Sequence, residues 1–214
     1  MKQEVILVPY DFSEQAENAV KHSIELAQAS RDKIFLLHAI VPPGFFSKPT
    51  LSQEEKNRLE GELSEHARKI KEKHGLEVDI SVDEGSLKSI IRNITEKYKV
   101  NLIVSGKSYQ SNSRIYEASK IIDWLKSQKS KTIIPVIVAS SPPIHNQYIE
   151  IVVPVDYQRE FKETLKWVMY LAKYYKCNIN FLKPFYKSED KKRLMANNMY
   201  FIKKLLDNNN IIYG

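Results

Sequence analysis

Side chains that could catalyse a reaction or bind a metal are few in this chain and stand apart from one another. Cys177 is the single cysteine among 214 residues, and no activating neighbour of the kind a reactive thiolate needs stands beside it. His38 ends an apolar stretch without a second histidine or cysteine at ligand spacing, so we expect a hydrogen-bonded core histidine. His66 lies on a predicted helix surface and should be solvated, while Ser13 and Ser105 lack the glycines of a nucleophile elbow. These patterns predict neither a catalytic residue nor a metal site.

Two aspartates occupy a more distinctive position, directly after an apolar strand. The sequence reads Val8-Pro9-Tyr10-Asp11 near the start and Val153-Pro154-Val155-Asp156 in the last third. An aspartate at this point can cap the helix that follows, or it can face a ligand at the carboxyl end of the strand. The pattern alone leaves both roles open.

The elements that must position these residues alternate between strands and helices. Amphipathic helices are expected after Ser13, from Ser52 to Gly75, after Ser86 and over 119–129, and a polar, basic loop is expected after Gly106. Alternation of this kind is typical of a parallel sheet with right-handed crossovers and helices on both faces. The strand-sized segments, rich in branched apolar residues, are 5–10, 33–41, 77–82, 101–106 and 132–139.

The chain also contains an internal repeat. A shift of 145 positions (150 − 5) places the segment that begins at Glu150 on the one that begins at Val5, without a gap for over thirty residues. Matching of the strand, turn, helix face and next strand together indicates duplication. We therefore expect a complete repeat over 1–140, a linker over 141–148 and part of a second repeat over 149–214. Its last helix should run from Ser188 to Asp207 with Leu194 facing inward, and the chain should stop just before a third strand.

Three segments resemble the universal stress protein family. They are the opening strand and turn, 8–13, the strand that ends in Gly106, and the closing helix and strand, which read Ser-Lys-Ile-Ile-Asp-Trp-Leu from Ser119 and Ile-Pro-Val-Ile-Val from Ile134. The resemblance covers essentially the whole chain when the second copy is counted, and it implies a three-layer α/β/α sandwich. Its five-stranded parallel sheet has strand order 3-2-1-4-5, the winding of flavodoxin and of adenine nucleotide alpha hydrolase-like proteins.

In members of this family that bind ATP, an aspartate after the first strand contacts the nucleoside and a Gly-x2-Gly-x9-Gly-Ser/Thr loop holds the phosphates. In this sequence the aspartate is Asp11 and the first glycine is Gly106, whereas Tyr109, Ser119 and Lys120 stand at the other three positions. Glycines allow backbone N–H groups to approach phosphates closely, so their loss predicts a degenerate site. The residues that the resemblance assigns to a nucleotide site are Pro9, Tyr10, Asp11, Val41, Gly106, Lys107, Ser119 and Lys120.

Three functions remain open at this stage. The first is a non-catalytic stress-response module in the cytoplasm, without a cofactor, that acts through protein contacts. The second keeps ATP or another adenine nucleotide with weak or no hydrolysis. The third, a small enzyme of the adenine nucleotide alpha hydrolase-like group, lacks the Ser-Gly-Gly-x-Asp-Ser loop of such enzymes.

Composition and the resemblance together limit the partners. The formal net charge is +7, but the lysines are spread over predicted helix surfaces, so we expect no nucleic acid partner. No apolar run approaches the length of a membrane span, so no membrane partner is expected. The resemblance implies a homo-oligomer, or pairing between repeats, through the strand Ile133 to Ala139, beside an unknown protein partner.

Overall fold

The computed structural model describes residues 4–41, 52–111, 114–127, 134–144, 150–158, 161–175 and 177–214. The chain divides into two compact units, Met1–Pro143 and Ile144–Gly214, and the division falls inside the predicted linker. The first unit contains β1 (Val5–Pro9), α1 (Glu14–Ser30), β2 (Lys33–Ile40), α2 (Gln53–His74), β3 (Val78–Glu84), α3 (Leu87–Lys97), β4 (Val100–Gly106), β5 (Ser108–Ser111), β6 (Arg114–Glu117), α4 (Ala118–Ser127) and β7 (Val136–Ala139). The second contains β8 (Glu150–Pro154), α5 (Phe161–Tyr174), β9 (Asn178–Leu182) and α6 (Glu189–Asp207).

Five parallel strands of the first unit form one sheet in the order β3-β2-β1-β4-β7. This confirms the predicted order 3-2-1-4-5, because β7 is the fifth parallel strand along the chain. Successive residues of β1 are buried on opposite faces of the sheet, since side chains alternate along a strand. Leu7 belongs to a core shared with α3 and α4, whereas α1 and α2 bury small and branched residues such as Ala19 and Leu63.

Local sequence sets the helix boundaries. The side chains of Ser13, Ser52 and Ser188 each accept a hydrogen bond from the backbone N–H three residues on, as N-cap residues do. Gly75 ends α2 with φ of 68°, a left-handed conformation that costs glycine little. These boundaries agree with those that the sequence predicts.

The loop expected after Gly106 is different in the structure. Strands β5 and β6 form an antiparallel hairpin in which Ser108 lies opposite Glu117 and Ser111 opposite Arg114. Polar residues are not excluded from strands when one face meets water. The polar composition of this segment therefore suggested a loop, although the segment forms paired strands. The hairpin occupies the stretch that the resemblance assigns to a phosphate loop.

The second unit repeats the strand pairing of the first. Val5 lies opposite Lys33 in β1 and β2, and Glu150 lies opposite Asn178 in β8 and β9, each shifted by 145 positions (150 − 5 and 178 − 33). Tyr213 forms a parallel bridge with Ile179. The chain therefore reaches the position of a third strand, although the sequence predicted that it would stop just before this strand.

The two units differ in how their sheets are covered. The described helices of the second unit, α5 and α6, share one core on a single face of β8 and β9. On the opposite face Val152 and Leu182 are 59% and 60% exposed, although their equivalents Leu7 and Leu37 are fully buried. Leu194, predicted to face inward, is 45% exposed, so that prediction was wrong.

Candidate functional site

The order of the strands creates one topological switch point in the first unit. The chain proceeds from β1 to β2 on one side and later returns to β4 on the other, so the connections that leave the carboxyl ends of β1 and β4 run in opposite directions. Ligands of open α/β sheets bind in the crevice at this point. The strands end at this edge with the predicted site residues Pro9, Tyr10, Asp11, Val41, Gly106 and Lys107.

Pro9 and Tyr10 are buried where β1 ends. The N–H of Tyr10 donates to the carbonyl of Leu37 at 2.8 Å, and its hydroxyl donates to the Glu17 carboxylate. Its ring stacks on His66, with centroids 5.0 Å apart and an interplanar angle of 16°. Burial and the bond to Glu17 raise the pKa of Tyr10 well above its usual value. This side chain is a packing element, and His66, expected in solvent, is part of the same cluster.

Asp11 stabilises the turn between β1 and α1. A carboxylate oxygen accepts the N–H of Ser13 at 3.0 Å, while the Ser13 hydroxyl oxygen caps α1 by accepting the N–H of Ala16 at 3.2 Å. Phe12, between them, has φ of 64°, a conformation uncommon for a bulky residue. The carboxylate therefore has a clear structural role, and it remains half-buried at the crevice.

His38, near the end of β2, is hydrogen-bonded as the sequence predicts for a core histidine. Its Nδ1 lies 2.8 Å from the carbonyl oxygen of Tyr10, so Nδ1 carries the proton and donates it. Burial lowers the pKa of His38, and the ring is neutral at pH 7. The Phe12 ring packs 5.1 Å from it, centroid to centroid.

Tyr109 reaches across the switch point from β5. Its hydroxyl donates to the carbonyl of Ala39 at 2.8 Å and accepts the N–H of the same residue at 2.6 Å. The side chain is 1% exposed and belongs to the core that includes Val41. The phenol of Tyr109 thus fills the space beside the end of β2. Its hydroxyl is hydrogen-bonded to both the N–H and the C=O of Ala39.

Gly106 is needed because α1 approaches β4 very closely. A Cβ atom at this position would lie 2.8 Å from the carbonyl oxygen of Gln15 and 2.9 Å from its carbonyl carbon, closer than real Cβ atoms come. The side chain of Gln15 then accepts hydrogen bonds from the N–H and hydroxyl of Ser108, at 3.0 and 3.1 Å. Helix packing accounts for this glycine without any phosphate.

Backbone donors on both sides of the hairpin that follows Gly106 are already in use. The N–H of Ser108 is bound by Gln15, the N–H of Ala118 donates to the carbonyl of Lys107 at 3.1 Å, and the hairpin pairs the strands between them. Lys107 is exposed. Ser119 is also exposed, in the first turn of α4, and its hydroxyl donates to the Glu117 carboxylate at 3.2 Å. Lys120 lies in α4, and its side chain falls outside the described part of the molecule.

The second unit has different residues and hydrogen bonds at the carboxyl ends of β8 and β9, the edge equivalent to the switch point of the first unit. Tyr186 donates from its hydroxyl to the carboxylate of Asp156 at 3.3 Å, and the buried amide of Asn198 donates to the carbonyls of Asp156 and Gln158 at 2.7 and 3.0 Å. The shift of 145 places Pro184 at the position of Ala39 (184 − 39). Proline has no N–H, so the donor that Ala39 offers is lost here.

Sequence reasoning missed three members of the site. It treated Tyr109 as a lost glycine, left Gln15 unmentioned and expected His66 in solvent. A large aromatic residue in an otherwise polar segment was the one signal for Tyr109. Nothing in the local sequence pointed to Gln15.

Neither a metal-binding cluster nor a membrane-spanning helix is found among the described residues. Within those ranges no group of three or more His, Cys, Asp and Glu side chains is arranged to hold a metal ion. Over the same part of the chain, every helix is too short or too polar to cross a membrane.

Comparison with known proteins gives a consistent result. A model of the universal stress protein family matches residues 3–114, which is more than half of the chain. No curated protein sequence matches the chain.

Solved structures share the fold. A universal stress protein from Archaeoglobus fulgidus aligns with a TM-score of 0.70 and 16% identity over 98% of this chain and 76% of its own. UspA from Lactobacillus plantarum aligns with a TM-score of 0.50 and 18% identity over 65% of this chain and 99% of its own. Another protein from A. fulgidus, solved in complex with dAMP, has a TM-score of 0.44 and 19% identity over 65% and 98%. The first two likenesses show the fold, and at these identities they show nothing beyond it.

Proposed function

The chain belongs to the universal stress protein family, and we propose that it serves there as a non-catalytic module that acts through protein contacts rather than through a bound nucleotide. The observation that carries this proposal is the hairpin after Gly106. A phosphate cradle needs backbone N–H groups that point into open space. Here the N–H of Ser108 is bound by Gln15, that of Ala118 by Lys107, and the hairpin occupies the stretch between.

The cytoplasm is the compartment we propose for this role. A single cysteine, Cys177, in 214 residues fits a reducing environment, in which structural disulfides are rare. Burial raises the pKa of its thiol, which favours an inert side chain over a reactive one.

The alternative is an adenine-nucleotide-binding member with weak or no hydrolysis. Asp11 is half-buried at the crevice and Lys107 is exposed beside Gly106, so a carboxylate and a cation are near the positions that the family resemblance assigns. A mobile lysine offers charge but does not replace a set of fixed donors.

Calorimetric titration of ATP separates the two functions. We expect no saturable heat from the wild type or from Asp11→Ala up to millimolar ATP. Micromolar binding by the wild type that is lost in Asp11→Ala would establish the alternative. Release of pyrophosphate or phosphate from ATP would contradict the non-catalytic role.

Strand β7 is the surface that we assign to self-association. It pairs with β4 on one side and is the last strand of the described sheet, and Val138 on it is 42% exposed. An open, apolar edge is a template for a further strand. Ile133 lies outside the described residues, so this pairing rests on Val136–Ala139.

Sedimentation velocity tests this assignment. Val138→Lys should shift the protein toward monomer, because lysine on an edge strand opposes pairing. The matched control is Ser81→Lys on β3, at the opposite edge of the sheet, which should leave the sedimentation coefficient unchanged. Equal behaviour of the two variants would argue against β7 as the interface.

A further inference from the structure

The sheet of the second unit has an outer face, which lies opposite α5 and α6. It presents Glu150, Val152 and Pro154 from β8 and Asn178, Asn180 and Leu182 from β9, the residues that alternate with those of the core. The side chains of Val152 and Leu182 are each more than half exposed. Apolar side chains that are exposed together on one face indicate a contact with another molecule.

The first unit shows what covers this face when it is buried. A shift of 145 positions places Val152 on Leu7 (152 − 7). The same shift places Leu182 on Leu37 (182 − 37). Leu7 and Leu37 belong to a core that also contains the apolar side of α3, which consists of Leu87, Ile90, Ile91 and Ile94. The equivalent positions of the second unit therefore suit the aliphatic side of a helix.

Helix α3 runs against the direction of the strands that it covers. It begins at Leu87, shortly after the carboxyl end of β3, and it ends at Lys97, shortly before β4 begins. The N–H of Val5, the first residue of β1, donates to the carbonyl of Lys99 at 3.0 Å, so the end of α3 lies beside Val5. A helix docked in the same way on the outer face places its last turn beside Glu150, the equivalent of Val5 (150 − 5).

The outer face changes from polar to apolar along its strands. Glu150 lies opposite Asn178 at the amino end, and Pro154 lies opposite Leu182 at the carboxyl end. An exposed carboxylate thus stands where the first unit has the buried Val5. A helix that fits this face needs aliphatic residues in its first turns and a lysine or arginine in its last turn. That cation would pair with Glu150 and would also be favourable at the carboxyl terminus of the helix itself.

The size of the outer face fits one helix rather than a second copy of the chain. Three strand positions, with Tyr213 at the third, span about 14 Å, and strands of five residues extend about 16 Å. This footprint of about 230 Å² is well below the roughly 800 Å² that each partner buries in a standard interface. An α-helix is about 10 Å wide and rises about 1.5 Å per residue, so about three turns cover the face.

We propose that the outer face is the docking site for one amphipathic helix of a partner protein, aliphatic in its first turns and basic in its last. The helix lies along β8 and β9 and antiparallel to them, as α3 lies in the first unit. Its aliphatic side chains contact Val152 and Leu182, and its cation pairs with Glu150. This inference rests on the proposed function, since it identifies the kind of partner that the protein contacts involve.

The probe is a synthetic copy of α3, residues 86–98, in which Ile94→Lys supplies the basic residue. A hydrocarbon link between positions 89 and 93, both exposed in α3, keeps the peptide helical, so binding is not opposed by the cost of ordering it. Fluorescence anisotropy of the labelled peptide, titrated with the full chain, should show saturable binding. Val152→Asp and Leu182→Asp should each weaken it at least about tenfold, since a carboxylate would be buried beneath aliphatic side chains.

A charge exchange at Glu150 tests the direction of the helix. Glu150→Lys should weaken binding of the lysine-bearing peptide by about fivefold, the upper range for an exposed ion pair. A peptide with Ile94→Glu should restore binding to this variant. The matched control is Tyr200→Asp on the exposed side of α6, which should bind like the wild type. Thermal melts should show all these variants folded, because the replaced side chains are exposed.

Every outcome decides for or against the docked helix. Equal binding by the wild type, Val152→Asp and Leu182→Asp, or no saturable binding of either peptide, overturns it. A sedimentation coefficient that falls in Val152→Asp also overturns it, because a second copy of the chain then occupies the face. Failure of the charge exchange overturns the antiparallel orientation. These results leave the proposed function intact, whereas micromolar ATP binding by the wild type overturns that function whatever the peptides do.

Discussion

Replacement of Gly106 by alanine should destabilise the first unit even in the absence of any ligand. The added Cβ atom would lie 2.8 Å from the carbonyl oxygen of Gln15, and ordinary contact begins at 3.4 Å. Helix α1 would therefore have to retreat from β4 by up to about 0.6 Å (3.4 − 2.8). That movement would also pull the Gln15 side chain away from Ser108, whose N–H it binds.

The expected loss of stability in Gly106→Ala is the difference between two opposing effects on the free energy of unfolding. Overpacking at a rigid contact costs about 1–3 kcal/mol, whereas loss of glycine's freedom in the unfolded chain returns about 0.4–1 kcal/mol. The midpoints of these two ranges differ by about 1.3 kcal/mol. The free energy of unfolding should fall by about that amount, which lowers the melting temperature of a unit of this size by about 3–5 °C. Thermal melts followed by circular dichroism, without nucleotide, measure this shift.

Gly61→Ala is the matched control. Gly61 lies inside α2, and a Cβ atom there would meet nothing within 4 Å, so alanine should stabilise the helix by up to about 1 kcal/mol. If Gly106→Ala melted at or above the wild-type temperature, the close approach of α1 would not be the reason for this glycine. A glycine kept for phosphate alone would give that result.

Three further predictions concern hydrogen bonds and protonation. Tyr109→Phe should lower the free energy of unfolding by about 1–3 kcal/mol in urea titrations, because the N–H and C=O of Ala39 lose their shared partner; an unchanged midpoint would contradict the bonding described. Stability should fall as the pH drops below about 6.5, since burial holds the folded-state pKa of His38 below that of the unfolded chain and the unfolded state takes up the proton first. His38→Gln should weaken this pH dependence, and an equal slope would exclude His38 as its source. Asn198→Ala should destabilise the second unit by about 1–3 kcal/mol in the same titrations, because its buried amide no longer binds the Asp156 carbonyl, and no change would mean that water replaces the amide.

Much of the fold could be predicted because its signals are local. Branched apolar runs gave the strands, serine caps gave the starts of α1, α2 and α6, and Gly75 gave the end of α2. The duplicated Val-Pro-x-Asp turn located the second unit. Each of these signals lies within a few residues of the element that it determines.

The occupied crevice could not be predicted, because its contacts join distant parts of the chain. Tyr109 and Ala39 are 70 residues apart, and Gln15 meets Ser108 across 93. No period or cap encodes which aromatic side chain will enter the gap at the end of β1. His66 was placed in solvent for the same reason, since its partner Tyr10 lies on another element.

The division of the chain into two units separates its two tryptophans, with Trp124 in α4 and Trp167 in α5. Each unit thus contains one tryptophan. Trp124→Phe and Trp167→Phe each leave a single tryptophan, and its emission then reports the melting of one unit within the chain. Coincident or separate transitions of the two signals would reveal whether the halves unfold cooperatively.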